Sequence, residues 1–305
     1  MKRGLCLLLG LAIALCTFGG AAEGQNGIEP ADRVPGQYRT IAKDGGAVVK
    51  IEYPSKDYYA GDGTEITKDA LVYLPPEYDE NGLYDLLVLC HGIGGNEYEW
   101  GFMSASPTGK NIIDHMILNG DIPPMIIVMP NGRSTGEKNR GDFMSFYSFG
   151  QELRNDLLPY MDAHFATYGS RTPDDLSASR NHRAMAGLSM GGMQTINIGL
   201  CECLDLFSVF GAFSAAPTSY DARTVAAKLE AFPDMEIRYF YNICGTEDRT
   251  AYASASAAAK KLPDYTDRLT EANWCWQERP GAHDFGIWHL GLYNIARIIG
   301  TLHED

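Results

Sequence analysis

Residues 182–193 read H-R-A-M-A-G-L-S-M-G-G-M. Ala184 to Leu188 is a short run of small and apolar residues, the composition of a buried strand. Gly187, Ser189 and Gly191 then spell G-x-S-x-G, which in a strand–turn–helix context is a nucleophile elbow. The serine of such an elbow sits at a sharp, strained turn with its hydroxyl projecting outward. Glycines are needed two residues to either side, because a Cβ there would collide with the neighbouring strand and helix. Gly192 to Leu200 supplies the following helix, whose positive N-terminal end would face Ser189 Oγ. Taken alone the pentapeptide is equally well an ordinary glycine-rich turn. It carries weight only if a base, an acid and oxyanion donors follow in the right order.

The flanking sequence has a repeating form. Ala47–Tyr53 and Ala70–Leu74 read as strands, and Pro75-Pro76 ends the second. Tyr84–Cys90, Pro124–Met129, Leu206–Phe213, Ile237–Cys244 and Ala272–Glu278 are further apolar runs of strand length. Between them, helical spacing recurs over 109–118, 148–165, 224–232, 252–261 and 286–302. Near-continuous apolar strands alternating with helices predict a mostly parallel sheet covered on both faces, with sites at the carboxyl ends of strands.

Bulk properties narrow the function. The chain has 305 residues and is 45% hydrophobic, enough for one large core. A formal net charge of -14 argues against nucleic acid or an anionic membrane as partner. Lys2 and Arg3, the apolar run Leu5–Phe18 and the small residues Gly19–Ala22 form a secretory leader over residues 1–22, so export is expected. The run is too short to span a bilayer comfortably. Residues 23–42, rich in Gly, Pro and charge, are expected to be a linker ahead of a catalytic domain over 43–305. Of 7 cysteines, Cys6 and Cys16 fall in the leader, leaving an odd number. At least one is then free or intermolecular, and Cys90 and Cys244 read as buried small hydrophobes. No Cys/His cluster has zinc spacing, so neither metal nor organic cofactor is expected.

A serine hydroxyl needs a base to take its proton and a group to orient that base. Of the seven histidines, His115, His164 and His289 fall in predicted helices. His182 begins the elbow strand, His303 lies near the end of the sequence, and His91 precedes a glycine-rich loop that it would brace. Only His283 follows a strand in a glycine-bearing loop after the serine. Asp248 lies in the loop after the preceding strand, with Glu247 as its competitor. The order Ser189, Asp248, His283 is that of α/β-hydrolases.

These blocks together resemble carbohydrate esterase family 1, the feruloyl and acetylxylan esterases of the esterase-D-like group. The resemblance rests on V-Y-L-P-P-E-Y (72–78), H-G-I-G-G-N-E-Y-E-W (91–100), the elbow, C-G-T-E-D (244–248) and G-A-H-D-F-G-I-W (281–288). It runs from about Ala47 to the last helix. The connections over 102–108, 133–146 and 172–181 depart from the group's pattern. The resemblance implies an α/β-hydrolase fold with Ser189 as nucleophile, His283 as base and Asp248 as orienting acid. The backbone N–H groups of Ile93 and Met190 would form the oxyanion hole. The implied reaction is release of ferulic acid from cell-wall xylan esters through an acyl-enzyme, with acetyl-ester or general short-chain ester hydrolysis as the alternative. Trp100, Trp288 and Asn131 are candidate substrate contacts. Phe143, Phe146 and Tyr147 are further candidate aromatic walls, though each aromatic reads as readily as core packing. The implied partner is feruloylated or acetylated xylan.

Overall fold

A computed structural model describes residues 28–136 and 141–303. The expected leader lies outside these residues. The strands are β1 (Ala47–Lys56), β2 (Glu65–Leu74), β3 (Asp85–Cys90), β4 (Met125–Pro130), β5 (Arg183–Leu188), β6 (Val209–Phe213), β7 (Tyr239–Gly245) and β8 (Trp274–Arg279). They form one eight-stranded sheet in the order β1-β2-β4-β3-β5-β6-β7-β8. β1 pairs with β2, and β2 with β4, antiparallel; from β4 to β8 every pairing is parallel. This is the expected α/β-hydrolase sheet. β3 to β7 are buried along their whole length, which is why their sequences are near-continuous apolar runs rather than alternating; the exceptions are Asp85, Arg183 and Asn242.

The helices are α1 (Thr108–Leu118), α2 (Phe149–Glu152), α3 (Leu158–His164), α4 (Met190–Gln194), α5 (Ala222–Leu229), α6 (Tyr252–Lys261) and α7 (Phe285–Leu302). A π-helical turn over Leu153–Leu157 joins α2 to α3, and another over Thr195–Leu200 extends α4. The sheet separates two apolar layers. On one side Ile112, Ile113 and Met116 of α1 pack with Leu290, Ile295 and Ile298 of α7. On the other, Leu153, Leu157 and Met161 pack with Ile198, Leu200 and Val225.

Parallel register aligns the strand ends. Cys90 pairs with Gly187, Leu188 with Phe213, and Phe213 with Ile243. The loops that carry Ser189, Asp248 and His283 therefore leave the same edge of the sheet. α7 begins at that edge and runs to the opposite one.

Residues 28–42, expected as a linker, are packed onto the domain. Asn294 of α7 accepts from the Ala31 N–H at 2.8 Å and donates to the Ala31 carbonyl at 3.0 Å. Val34 and Tyr38 are buried in the α1–α7 layer. The Tyr38 ring stacks on His115 at 5.4 Å and meets Tyr293 edge-on at 6.1 Å. The Gly and Pro content conveyed a linker, but two apolar residues in it are enough to anchor the segment. Tyr38→Ala should therefore cost about 2–4 kcal/mol in denaturant unfolding, as for other large buried side chains. An unchanged midpoint would mean that the segment adds nothing to the fold.

Candidate active site

Ser189 stands between β5 and α4 with φ 52° and ψ -112°. Its N–H donates to the Phe213 carbonyl at 2.9 Å, and its carbonyl accepts from Met193 and Ala216 at 3.0 and 2.9 Å. The glycines at either side are there for space. A Cβ on Gly187 would lie 2.6 Å from the Gly191 carbonyl carbon, and one on Gly191 would lie 2.6 Å from the Cys90 carbonyl oxygen. Both are distances that real Cβ atoms do not tolerate.

The three residues singled out from the sequence meet here. Ser189 Oγ lies 3.0 Å from His283 Nε2, and His283 Nδ1 lies 2.7 Å from Asp248 Oδ2. Asp248 is buried, and its other oxygen accepts from the Thr250 and Ala251 N–H groups at 2.9 and 2.8 Å. Burial pushes the Asp248 carboxyl up, but hydrogen bonds from His283, Ala251 and Ser214 outweigh it and hold the group below its ordinary value. It therefore stays ionised beside the imidazole. The competitor Glu247 is exposed, and Asp284 caps α7 by accepting from the Gly286 N–H at 2.8 Å.

Of the two N–H groups expected at the oxyanion site, that of Met190 follows Ser189 directly, and that of Ile93 lies one residue beyond Gly92, which packs on Ser189. Met190 opens α4, so its N–H belongs to the first turn, where amides have no partner within the helix. Ile93 follows Gly92, where an added Cβ would stand 3.4 Å from Ser189 Cβ. His91 does brace this loop. Its Nδ1 pairs with the Gly92 carbonyl at 2.7 Å, and its Nε2 accepts from the Gly132 N–H at 3.1 Å.

Several supports escaped the sequence. Arg133 donates to the Gly95 carbonyl at 2.9 Å and to the Ile93 carbonyl, and its guanidinium lies 4.7 Å from the Phe146 ring centre. Gln194 ties the Gly132 and Phe146 carbonyls together at 2.8 and 2.9 Å. Behind them Lys68 donates to the Asn131 carbonyl at 3.0 Å and lies 3.4 Å from the buried Glu152. Glu99 accepts from the Gly92 N–H at 2.6 Å. Nothing in a linear sequence marks Arg133, Gln194 or Lys68, because each acts on a loop far away in the chain; Glu99 acts within its own loop, seven residues from Gly92.

The expected substrate contacts fare differently. Trp100 is buried, donating from Nε1 to the Cys90 carbonyl at 3.1 Å; it belongs to the core beneath the loop, not to a binding wall. Phe146 is likewise fully buried. Asn131 accepts from the Arg133 N–H at 3.3 Å and donates to Glu97 at 3.3 Å, so it shapes the loop. Trp288 is buried edge-on against the His283 ring at 5.1 Å. Of the other aromatics, Phe143 is exposed and Tyr147 half-buried. A cleft of about 800 Å³, lined mostly by Thr246–Thr250, Tyr252 and Ala282, opens beside His283.

A strained serine at the edge of a mostly parallel sheet, aligned with an imidazole and a buried carboxylate, defines a serine hydrolase of the α/β-hydrolase fold. The chain belongs to the family described as putative esterase, whose profile matches residues 64–295. It is 32% identical over 274 residues to endo-1,4-beta-xylanase Y of Acetivibrio thermocellus, covering 85% of this chain and 24% of that protein. It is 28% identical over 272 residues to the endo-1,4-beta-xylanase/feruloyl esterase of Xylanibacter ruminicola, covering 81% of this chain and 34% of that one. The chain thus spans about a quarter to a third of the curated relatives it matches. Among solved structures, it is similar to the feruloyl esterase module from Clostridium thermocellum, a serine-to-alanine mutant complexed with sinapinate. The TM-score is 0.70 at 28% identity, covering 89% of this chain and 93% of that one. These likenesses make the chain a carboxylic ester hydrolase of the serine type.

Two measurements probe the site. Asp248→Asn should lower kcat by orders of magnitude, because the imidazole loses its orienting charge, while Glu247→Gln should change it little. The reverse ranking would transfer the acid role to Glu247. The second concerns acid stability. Burial pushes His91 down to about 4. Between its ordinary value near 6.5 and that value, the unfolded chain takes up a proton that the folded chain refuses. Stability should therefore fall as pH drops through this window, by on the order of 3 kcal/mol from this residue. Replacing it by glutamine should flatten the fall in thermal melts; an unchanged slope would remove His91 as its source.

Proposed function

We propose that this chain is a secreted feruloyl esterase, releasing hydroxycinnamic acid from esters of plant cell-wall xylan. The observation that carries the reading is the serine–imidazole–carboxylate alignment at 3.0 and 2.7 Å, in a chain similar to a feruloyl esterase module. Ser189 Oγ attacks the ester carbonyl while His283 Nε2 takes its proton. The Ile93 and Met190 N–H groups receive the oxyanion. The tetrahedral intermediate collapses, the sugar hydroxyl leaves with the proton from His283, and the acyl group stays on Ser189. A water, deprotonated by the same imidazole, then attacks the acyl-enzyme and frees the acid. The serine mechanism needs no metal or organic cofactor. Trp288 and Asn131 act as positioning residues, one on the base and one on the loop. The open cleft beside His283, with its threonine, tyrosine and arginine side chains, suits a hydroxyl-rich sugar chain. The acidic charge supports neither nucleic acid nor an anionic membrane as partner, and among the described residues no helix is long and apolar enough to cross a membrane.

One observation favours a second reading. Trp100 and Phe146 are core residues, which leaves only Phe143 and Tyr147, of the further aromatic walls expected, open to a phenolic group. An acetylxylan esterase would need no such surface. Methyl ferulate and a matched acetyl ester, assayed side by side, separate the two. The feruloyl reading expects at least about a tenfold higher kcat/KM for the ferulate, a difference of only ~1.4 kcal/mol in transition-state binding. Equal or better turnover of the acetyl ester would leave the triad standing and reassign the substrate. Ser189→Ala should abolish both activities in a folded protein; retained activity would overturn the whole mechanism.

A further inference from the structure

At the edge of the sheet opposite Ser189, three side chains converge that the ester chemistry does not use. Asp85 opens β3, His182 immediately precedes β5, and His303 follows the end of α7. The His182 and His303 Nδ1 atoms lie 2.8 and 2.7 Å from the two oxygens of the Asp85 carboxylate. All three donor atoms fall within 4.8 Å of one another. From this geometry we propose a binding site for a divalent transition ion of the zinc type, held by Asp85, His182 and His303.

The donor chemistry points to that class. Two imidazoles and one carboxylate are a borderline set suited to zinc and its neighbours rather than to calcium or magnesium, which take oxygen ligands. Both rings direct Nδ1 to the one carboxylate, each to its own oxygen, so one ion placed among the three groups can replace both shared hydrogens. Each neutral imidazole then carries its hydrogen on Nε2, and no redox change is involved. With bonds of about 2.05 Å the donors would close to a tetrahedral edge of roughly 3.3 Å.

The surroundings leave the site its charge. The Asp85 carboxylate is buried, and among the described residues its partners are these two imidazoles alone. Arg183, next in sequence, is turned to Asp162 at 2.5 Å. Arg238 donates to the Asn181 and Leu302 carbonyls. The His182 ring is held flat against Tyr168 at 3.5 Å, so its direction is fixed. The two imidazoles remain 30% and 25% exposed, leaving a path for the ion and a water as fourth ligand. The ion would join the first residues of β3 and β5 to the end of α7. α7 is 18 residues long and starts beside His283, which puts the site roughly 27 Å from the triad. Its effect should be on stability and not on turnover.

The test uses the full chain carrying no polyhistidine tag, stripped with EDTA and titrated with zinc chloride. Calorimetry should find one ion per chain, and the thermal midpoint should rise by a few degrees with zinc concentration. Turnover of p-nitrophenyl acetate should change less than twofold. His303→Gln, at a partly exposed position, should keep the far-ultraviolet spectrum and weaken zinc binding at least tenfold; His182→Gln should do the same. No saturable one-to-one binding in the wild type overturns the proposal. So does wild-type affinity retained in both variants, or zinc that acts by inhibiting turnover, which would put the ion at the catalytic histidine.

Discussion

A non-glycine residue at φ 52° and ψ -112° costs on the order of 1–3 kcal/mol, and the fold is arranged to hold Ser189 there. Three main-chain hydrogen bonds to β6, α4 and the loop after β6 fix its peptide planes. The same conformation brings β5 and α4 so close that neither flanking position tolerates a side chain. The strain is local, and what offsets it is not. β5 is buried along its whole length between β3 and β6, and an eight-stranded sheet with helices on both faces is what allows one strand to end so abruptly. The serine can thus present Oγ to His283 while the residue itself is largely buried.

The second requirement is a loop held ready for the oxyanion. The loop over 91–95 leaves β3 beside the elbow, and its own glycines give it little rigidity. Its shape comes instead from the neighbouring loop after β4. Gly132 is bonded to His91 and Gln194, Arg133 reaches back to the Gly95 and Ile93 carbonyls, and the Lys68–Glu152 pair sits behind. Burial keeps His91 neutral, which its role as acceptor from Gly132 demands. A protonated ring would turn an acceptor into a donor facing an N–H group.

The alternation of apolar strands and helices was legible because parallel strands are buried on both faces and say so at every residue. The order of serine, acid and histidine was legible because each falls just after a strand, and parallel strands end on one edge. Residues 23–42 read as a linker because composition measures average polarity, whereas in the described part, 28–42, two residues, Val34 and Tyr38, do the anchoring. Trp100 was misread for a related reason. An aromatic beside a catalytic loop can face the substrate or the core, and only the three-dimensional path shows its Nε1 bonded to Cys90 under the loop. Arg133 and Gln194 carried no signal, since a main-chain carbonyl accepts from any donor that the fold brings near.

The histidines show where sequence reasoning stops. His182 and His283 both stand within a few residues of a strand, one before β5 and one after β8. That difference of side decides everything, because the two ends of a parallel sheet have different neighbours. At the carboxyl end, loops diverge and leave space for a substrate. At the amino end, strand starts lie close together, and β3 pairs with β5 despite the 91 residues between Cys90 and His182. Asp85 and His182 become neighbours through that pairing alone. α7 then returns from His283 to bring His303 to them, so one helix joins the catalytic base to the histidine pair. The chain places its imidazoles at both poles of a rigid sheet. A change at the lower pole can alter how firmly the strands are held without moving the atoms at the upper one.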